Sequence, residues 1–193
     1  MARVLTIQAH PDTAPHLCHA LEAAYAAGAA EAGHEVRRVD VASLDFPMLR
    51  SRDDWEHGEL PSSLADAQRD IEWAQHLVLV FPLWLGDMPA LTKAFLEQVA
   101  RPGFAFERDA ANPFGRKRLG GRSARVVVSM GMPALVYRWL YRAHSLKSLE
   151  RNILGFVGIA PVRETLVGRA GQVDADRAAR LFASMNALGR AAT

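Results

Sequence analysis

The chain has 193 residues, 50% hydrophobic and 23% charged, which suits one domain with its own core and excludes a disordered, collagenous or coiled-coil chain. A single cysteine, Cys18, excludes a disulfide framework and a multi-cysteine zinc site, and 23 Lys+Arg against 21 Asp+Glu is too even for a nucleic-acid binder. The opening residues carry no signal-peptide pattern, and the longest apolar runs, 77–86 and 153–162, are half of the roughly 20 residues that a membrane-spanning helix needs, so a soluble, cytoplasmic protein is expected.

In chain order, residues 3–9 read as a short strand ending at a His-Pro turn. Leu17, Leu21, Ala24 and Gly28 then recur at helical spacing, Pro15 is tolerable in the first turn, and Gly33 stands where a glycine closes a helix. Residues 35–41, with Val36, Val39 and Val41, form a second strand. Residues 44–61 are polar and irregular, with two prolines and Trp55, and are expected to be a long surface excursion. Leu64, Ala67, Ile71 and Ala74 mark a second helix, with Ser62 or Ser63 as its cap.

Residues 76–81 are the most apolar strand and belong at the centre of a parallel sheet. Met88, Leu91, Phe95 and Val99 form the next helical stripe, and residues 101–123 are glycine-rich, basic and irregular. Residues 124–129 are a fourth strand, 134–142 and 145–154 are helical, and 161–167 are a fifth strand. Ala178, Leu181, Phe182, Met185 and Leu188 form a closing helix, with Asp174 as its cap. No repeat, linker or low-complexity tract interrupts this order, so residues 1–193 are expected to form a single domain. The alternation of strand and helix predicts an α/β doubly wound sheet of five parallel strands in the flavodoxin-like order 2-1-3-4-5, with helices on both faces.

Ligands of such sheets bind beyond the carboxyl ends of the strands, at the switch point. Three turns therefore matter: His10-Pro-Asp-Thr-Ala-Pro-His-Leu-Cys18, Pro82-Leu-Trp-Leu-Gly-Asp-Met-Pro89 and Ser129-Met-Gly-Met-Pro133. None is a Gly-x-Gly-x-x-Gly or Walker A loop, and Gly-x-Ser-x-Gly is absent from the chain. The first turn leads into a helix N-terminus, where unpaired N–H groups attract an anion and His10, Thr13 and His16 add donors; a plain strand–helix turn is equally compatible. The second is apolar and bounded by prolines, so its main chain can read the edge of a flat heterocycle with Trp84 against the ring, although a buried core turn is the commoner use of such residues.

These residues resemble the flavodoxin-like NAD(P)H:quinone oxidoreductase family, whose members include quinone reductases, modulators of drug activity and ancillary subunits of potassium efflux systems. The resemblance is strongest in residues 81–99, followed by Pro102-Gly-Phe-Ala-Phe106, and extends over 7–40 and 129–167. It implies a flavin, FMN or FAD, across the switch point, with NAD(P)H as co-substrate and the flavin phosphate on the loop containing His10, His16, Leu17 and Cys18. The family usually carries Ser-aromatic-Asn where His16-Leu17-Cys18 stands here. Pro82, Leu83, Trp84, Leu85 and Gly86 fall where the family holds the isoalloxazine edge. Ser129, Met130, Gly131 and Met132 correspond to its glycine turn. Tyr137 matches a tyrosine placed beside the flavin pyrimidine, and His144 is a counterpart, shifted by one residue, of the family histidine.

The resemblance implies a two-electron hydride transfer from NAD(P)H through the flavin to a quinone or similar flat acceptor, azo dyes and nitroaromatics included, by a ping-pong mechanism. Tyr137 and then His144 are the catalytic candidates for holding the charge that develops on the ring. Two other readings compete with it: a regulatory flavoprotein docked on a membrane transporter, and a one-electron carrier, which the slightly basic balance disfavours. Tyr137 as a core residue and His144 as a carbonyl cap are the ordinary alternatives. Cys18 reads more simply as an apolar filler, and His19, His34, His57 and His76 as structural or exposed residues. The run of Arg116, Lys117, Arg118, Arg122 and Arg125 reads as a solvated loop in preference to a nucleotide-phosphate site; Arg138, Arg142, Lys147 and Arg151 read as an exposed face. Phe104, Phe106, Trp139 and Tyr141 exceed what one small sheet needs outside its core and, with the family habit, suggest a homodimer with the flavin near its interface.

Overall fold

The computed structural model describes residues 1–109 and 112–193. Seven strands and eight α-helices are described: β1 Arg3–Gln8, α1 Leu17–Glu31, β2 Glu35–Asp40, α2 Arg52–His57, α3 Ala65–Trp73, β3 His76–Pro82, α4 Ala90–Val99, β4 Phe106–Asp109, β5 Asn112–Lys117, β6 Ser123–Ser129, α5 Ala134–Trp139, α6 His144–Ser148, α7 Gly155–Val157, β7 Val162–Val167 and α8 Ala175–Ala191. A five-stranded parallel sheet runs in the order β2-β1-β3-β6-β7. This is the expected 2-1-3-4-5 order, since β6 and β7 are the fourth and fifth strands of that sheet.

The sequence dictates which strand is central. Every residue of β3 is buried, and its backbone is spent on both neighbours, from His76 opposite Val4 and Ser123 to Val80 opposite Gln8 and Val127. One face of the sheet carries the larger apolar cluster, including Leu5, Ile7, Leu79, Phe81, Phe95 and Val126. The other face packs Val4, Val78, Val80 and Val127 against α1 and α8 through Leu21, Tyr25 and Met185.

Helix α1 is rich in alanine, and this smallness lets α8 approach closely. A Cβ built on Gly189 would lie 2.0 Å from the Tyr25 carbonyl oxygen, and one on Gly28 would lie 2.1 Å from that of Asn186. Asp174 caps α8 as expected, accepting the Arg177 N–H at 2.8 Å. Glu22 of α1 is 2% exposed, yet the Thr6 hydroxyl donates to it at 2.5 Å and Arg38 at 3.0 Å, so its charge is compensated where α1 crosses β1 and β2.

Several local expectations are corrected. The 44–61 excursion contains α2, and Leu44, Phe46, Trp55 and Leu60 pack against the core instead of lying over the surface. Arg101, 6% exposed, anchors it by donating to the Asp54 and Gly58 carbonyls at 2.6 and 2.9 Å. Ser63 does not cap α3: a 3-10 turn over Ser62–Leu64 intervenes, and the Ser63 hydroxyl donates to the Asp45 carbonyl at 2.6 Å. Within 101–123 lies the antiparallel pair β4–β5. The basic run is not simply a solvated loop: Lys117 donates to Gly155 O at 2.7 Å, Arg122 to Glu72 O at 2.6 Å, and buried Arg125 to Thr165 Oγ1 at 2.7 Å. Phe106 is a core residue, its ring 5.8 Å from Trp55 and 5.0 Å from Phe156, so it is not available for a second copy. The second helical segment of 145–154 divides into α6 and a π-helical stretch over Leu149–Leu154.

The α1–α8 crossing yields a direct test. Gly189→Ala forces a methyl group into the α1 backbone, and urea unfolding should show a loss of about 1–3 kcal/mol with little change in the m-value.

Candidate functional site

The carboxyl ends of β1, β3 and β6 bring the three turns together. Thr92, buried in α4, donates its hydroxyl to the Ala9 carbonyl at 2.8 Å, tying the start of the first turn to the helix that follows the second. Leu83 N–H donates to the Ser129 carbonyl at 2.7 Å, joining the second turn to the third. The Cys18 thiol and Ser129 hydroxyl lie 3.0 Å apart, so the first turn of α1 is seated on the end of β6. Burial pushes the Cys18 thiol up to about 11, which keeps it protonated and unreactive at neutral pH.

The tryptophan turn has a defined geometry. Trp84 N–H donates to Asp87 O at 2.8 Å and Asp87 N–H returns to Trp84 O at 3.0 Å, closing a two-residue turn around Leu85 and Gly86. Their φ values are 48° and 80°, the double left-handed pattern of a type I′ turn. Such turns favour Asn-Gly, and a leucine held left-handed costs about 1–2 kcal/mol. Leu85 is nevertheless fully exposed and Trp84 half-exposed, so the strain holds two large apolar side chains in solvent at the mouth of the sheet.

Opposite this turn stands the start of α1. The His10 ring lies edge-on to Trp84, with ring centroids 5.9 Å apart. His16 is the N-cap of α1, and its N–H is accepted by Nδ1 of His19 at 3.2 Å. Asp12 accepts Ala14 N–H at 2.9 Å and contacts His16 Nε2 at 2.7 Å, and these two contacts hold its carboxyl below the usual range. His10 is held below the ordinary imidazole value, first by burial and then by the neighbouring His16. Leu17 is half-buried beside the cap, Met130 is buried, and Met132 is half-buried with its carbonyl accepting Arg169 N–H at 3.0 Å.

The two catalytic candidates are placed differently. Tyr137 is buried; its oxygen accepts Leu146 N–H at 3.2 Å and lies 2.7 Å from Ser145 Oγ. His144 is exposed at the start of α6, after Arg142 and Ala143, both left-handed at φ 55° and 48°. Sequence reasoning gave no site role to Gln8 or His19. The fully buried Gln8 accepts His10 N–H at 3.0 Å and leaves Nε2 without an acceptor, and His19 Nε2 is likewise buried and unpartnered. The His16/His19 spacing of three at a helix start is the signal that carried this pairing.

A separate cavity of about 530 Å³ lies between α2, α4 and residues 152–157, with Trp55, Phe106 and Phe156 in its walls. Its rim cations Arg52 and Lys93 are paired with Glu56 and Glu97. It shares no residue with the three turns. The turns bring together a helix N-terminus, orphaned buried donors and exposed apolar side chains, so they are the better candidate site.

The family model described as flavodoxin-like fold, Flavodoxin_2, matches residues 2–188. A ribosyldihydronicotinamide dehydrogenase-like protein of Penicillium crustosum is 26% identical over 154 residues, which span 67% of this chain and 57% of that protein. An FMN-dependent NADH:quinone oxidoreductase of Alteromonas mediterranea is 31% identical over 141 residues, 66% of each chain. The solved NAD(P)H:quinone oxidoreductase of Methanothermobacter marburgensis superposes with a TM-score of 0.81 at 24% identity, covering 98% of this chain and 96% of that one. The chain belongs to the Flavodoxin_2 family. Among the described residues no helix is long and apolar enough to cross a membrane.

The strained turn can be tested without any ligand. Leu85→Asn fits the left-handed position, and the unfolding free energy in urea should rise by roughly 0.5–1 kcal/mol.

Proposed function

We propose that the protein is a flavin-dependent NAD(P)H:acceptor oxidoreductase that reduces quinones or similarly flat acceptors. The observation that carries this reading is the strained Trp84–Asp87 turn facing the α1 N-terminus across the switch point. The residues present fit a flavin. Gln8 Nε2 and His19 Nε2 are buried donors lacking an acceptor at the phosphate end. At the ring end, a Cβ on the exposed Gly131 would meet nothing within 4 Å beyond its own chain neighbours, which leaves open space over the third turn. The names of the Alteromonas and Methanothermobacter proteins agree with this chemistry.

In this reading His10, His16, Leu17 and Cys18 form the phosphate end; the thiol of Cys18 seats α1 instead of touching the ligand. Pro82, Leu83, Trp84, Leu85 and Gly86 hold the ring edge with main-chain groups, and Ser129, Met130, Gly131 and Met132 floor the crevice. A bound flavin supplies the capacity to take a hydride from nicotinamide and pass it on. Tyr137 holds a proton at its phenolic oxygen, which Leu146 N–H and Ser145 fix in place, and so supplies a donor toward charge developing at the pyrimidine side. His144 is the second donor. Trp84 and Leu85 exclude water from a single crevice that serves nicotinamide and acceptor in turn, hence ping-pong kinetics.

Purified protein loaded with FMN or FAD should stay yellow through dialysis and oxidise NADH or NADPH with 1,4-benzoquinone as acceptor. Double-reciprocal plots should be parallel; intersecting lines reject the shared crevice. Tyr137→Phe should slow the reductive half-reaction at least tenfold while flavin is retained, and an unchanged rate removes Tyr137 from the chemistry.

Leu135, Trp139 and Leu140 are 69–75% exposed, and Tyr141 is half-exposed, on and just after α5 beside the site. A second copy covering them is the economical explanation. Sedimentation should show a dimer, and Trp139→Asp should shift it toward monomer.

A further inference from the structure

Resting on the flavin reading above, we infer that His19 completes a three-imidazole anion site with His10 and His16, and that this site grips a phosphate monoester by taking up a proton. The histidines surround the first turn of α1, with ring centroids 4.0 Å (His10–His16), 5.5 Å (His10–His19) and 5.9 Å (His16–His19) apart.

Their hydrogen bonds set which ring atoms stay open to a ligand. Nδ1 of His19 accepts the His16 N–H, so in the neutral ring the proton sits on Nε2, the atom that is buried without an acceptor. Nδ1 of His10 stands between the Asp12 N–H at 3.1 Å and the Asp12 carbonyl at 3.2 Å, accepting from the first when bare and donating to the second when protonated, so this ring can take up a proton while Nε2 stays available as a donor. Nε2 of His16 faces Asp12 Oδ2 at 2.7 Å, and the same side chain accepts the N3 backbone N–H of the capping box. Beneath them Gln8, fully buried, holds its Nε2 donor without an acceptor. Two ring donors, a buried carboxamide bonded through its oxygen to the His10 N–H, and the N-terminus of a fifteen-residue helix are thus gathered in the same turn.

The charges around the cluster are few. Asp12 is the carboxylate bonded to it. Glu22, one turn along α1, is committed to Thr6 and Arg38; Asp87, on the tryptophan turn, takes Met88 N–H at 2.7 Å; Cys18 meets Ser129. With three imidazoles and one carboxylate, protonating a second ring without a bound anion meets its neighbours' repulsion, and burial already disfavours charge on His10. A dianionic phosphate reverses that field, and binding then draws a proton from solution.

The sign follows from linkage. When the bound state holds more protons than the free one, affinity rises as pH falls. A site of neutral donors does the opposite: its affinity is flat above pH 7 and drops below about pH 6, where the phosphate loses its second charge. Fluorescence quenching of FMN and of riboflavin by the flavin-free chain, at pH 6.5, 7.5 and 8.5, separates the two. FMN should bind about tenfold more tightly at pH 6.5 than at 8.5, while riboflavin, which lacks the phosphate, shows no slope. His19→Gln and His16→Asn keep the cap bonds and should each flatten the FMN slope without altering riboflavin affinity, with thermal unfolding confirming the fold. A flat FMN profile in the native chain, or a slope that survives when His19→Gln and His16→Asn are combined, overturns the inference and leaves the flavin reading standing. Failure of both flavins to bind sinks the two together.

Discussion

The burial of β3 on both faces and both edges governs the rest of the molecule. Its seven residues are all buried between β1 and β6, so the strand itself offers no surface to a ligand and the turns at the carboxyl ends of the sheet do. The same burial fixes the level of its neighbours, since register with β1 and β6 places Gln8 and Ser129 at the rim beside it. The three turns meet because the strands that precede them are locked together. The crevice is a consequence of sheet order, as switch points are in open parallel sheets.

On that rim the chain accepts local cost. Leu85 in a left-handed conformation and two consecutive left-handed residues at Arg142 and Ala143 are positions where a strain-free chain would use glycine or asparagine. One lies in the tryptophan turn of the candidate site and the other just after Tyr137. The closest packing lies elsewhere, in the α1–α8 crossing at Gly28 and Gly189.

Much of this was legible in the sequence because its period was unambiguous. The apolar run 76–81 could only be central, and the regular spacing of Leu17, Leu21 and Gly28 could only be a helix packed along one face. The misread segments lacked a period. Residues 44–61 pack four apolar side chains against the core at irregular spacing, and a single arginine, Arg101, 47 and 43 residues further along the chain than the two carbonyls it meets, holds that segment by contacts no pattern announces. The β4–β5 pair hid in basic, glycine-bearing sequence because two-stranded ribbons need little alternation. At the site, the turns were visible as composition, while the roles of Gln8 and His19 were not. Those roles depend on which side-chain atom accepts a bond, the carboxamide oxygen in Gln8 and Nδ1 in His19, which only the fold decides.

The way the rim is fastened bears on how such a site can work. Thr92 to Ala9, Leu83 to Ser129 and Cys18 to Ser129 are contacts between different turns, and the Thr92 and Cys18 links are buried. A ligand entering the crevice therefore meets main-chain donors already in place, and little of its binding energy is spent on ordering the loops. The exposed side chains Trp84 and Leu85 sit on a turn closed by its own two hydrogen bonds, so even they are held by backbone geometry. A rigid crevice of this kind suits a ring that stays bound while flat partners exchange above it. In the function proposed, the hard chemistry belongs to the ring, and the protein's share is position, a proton at Tyr137 and a cluster of imidazoles at the far end.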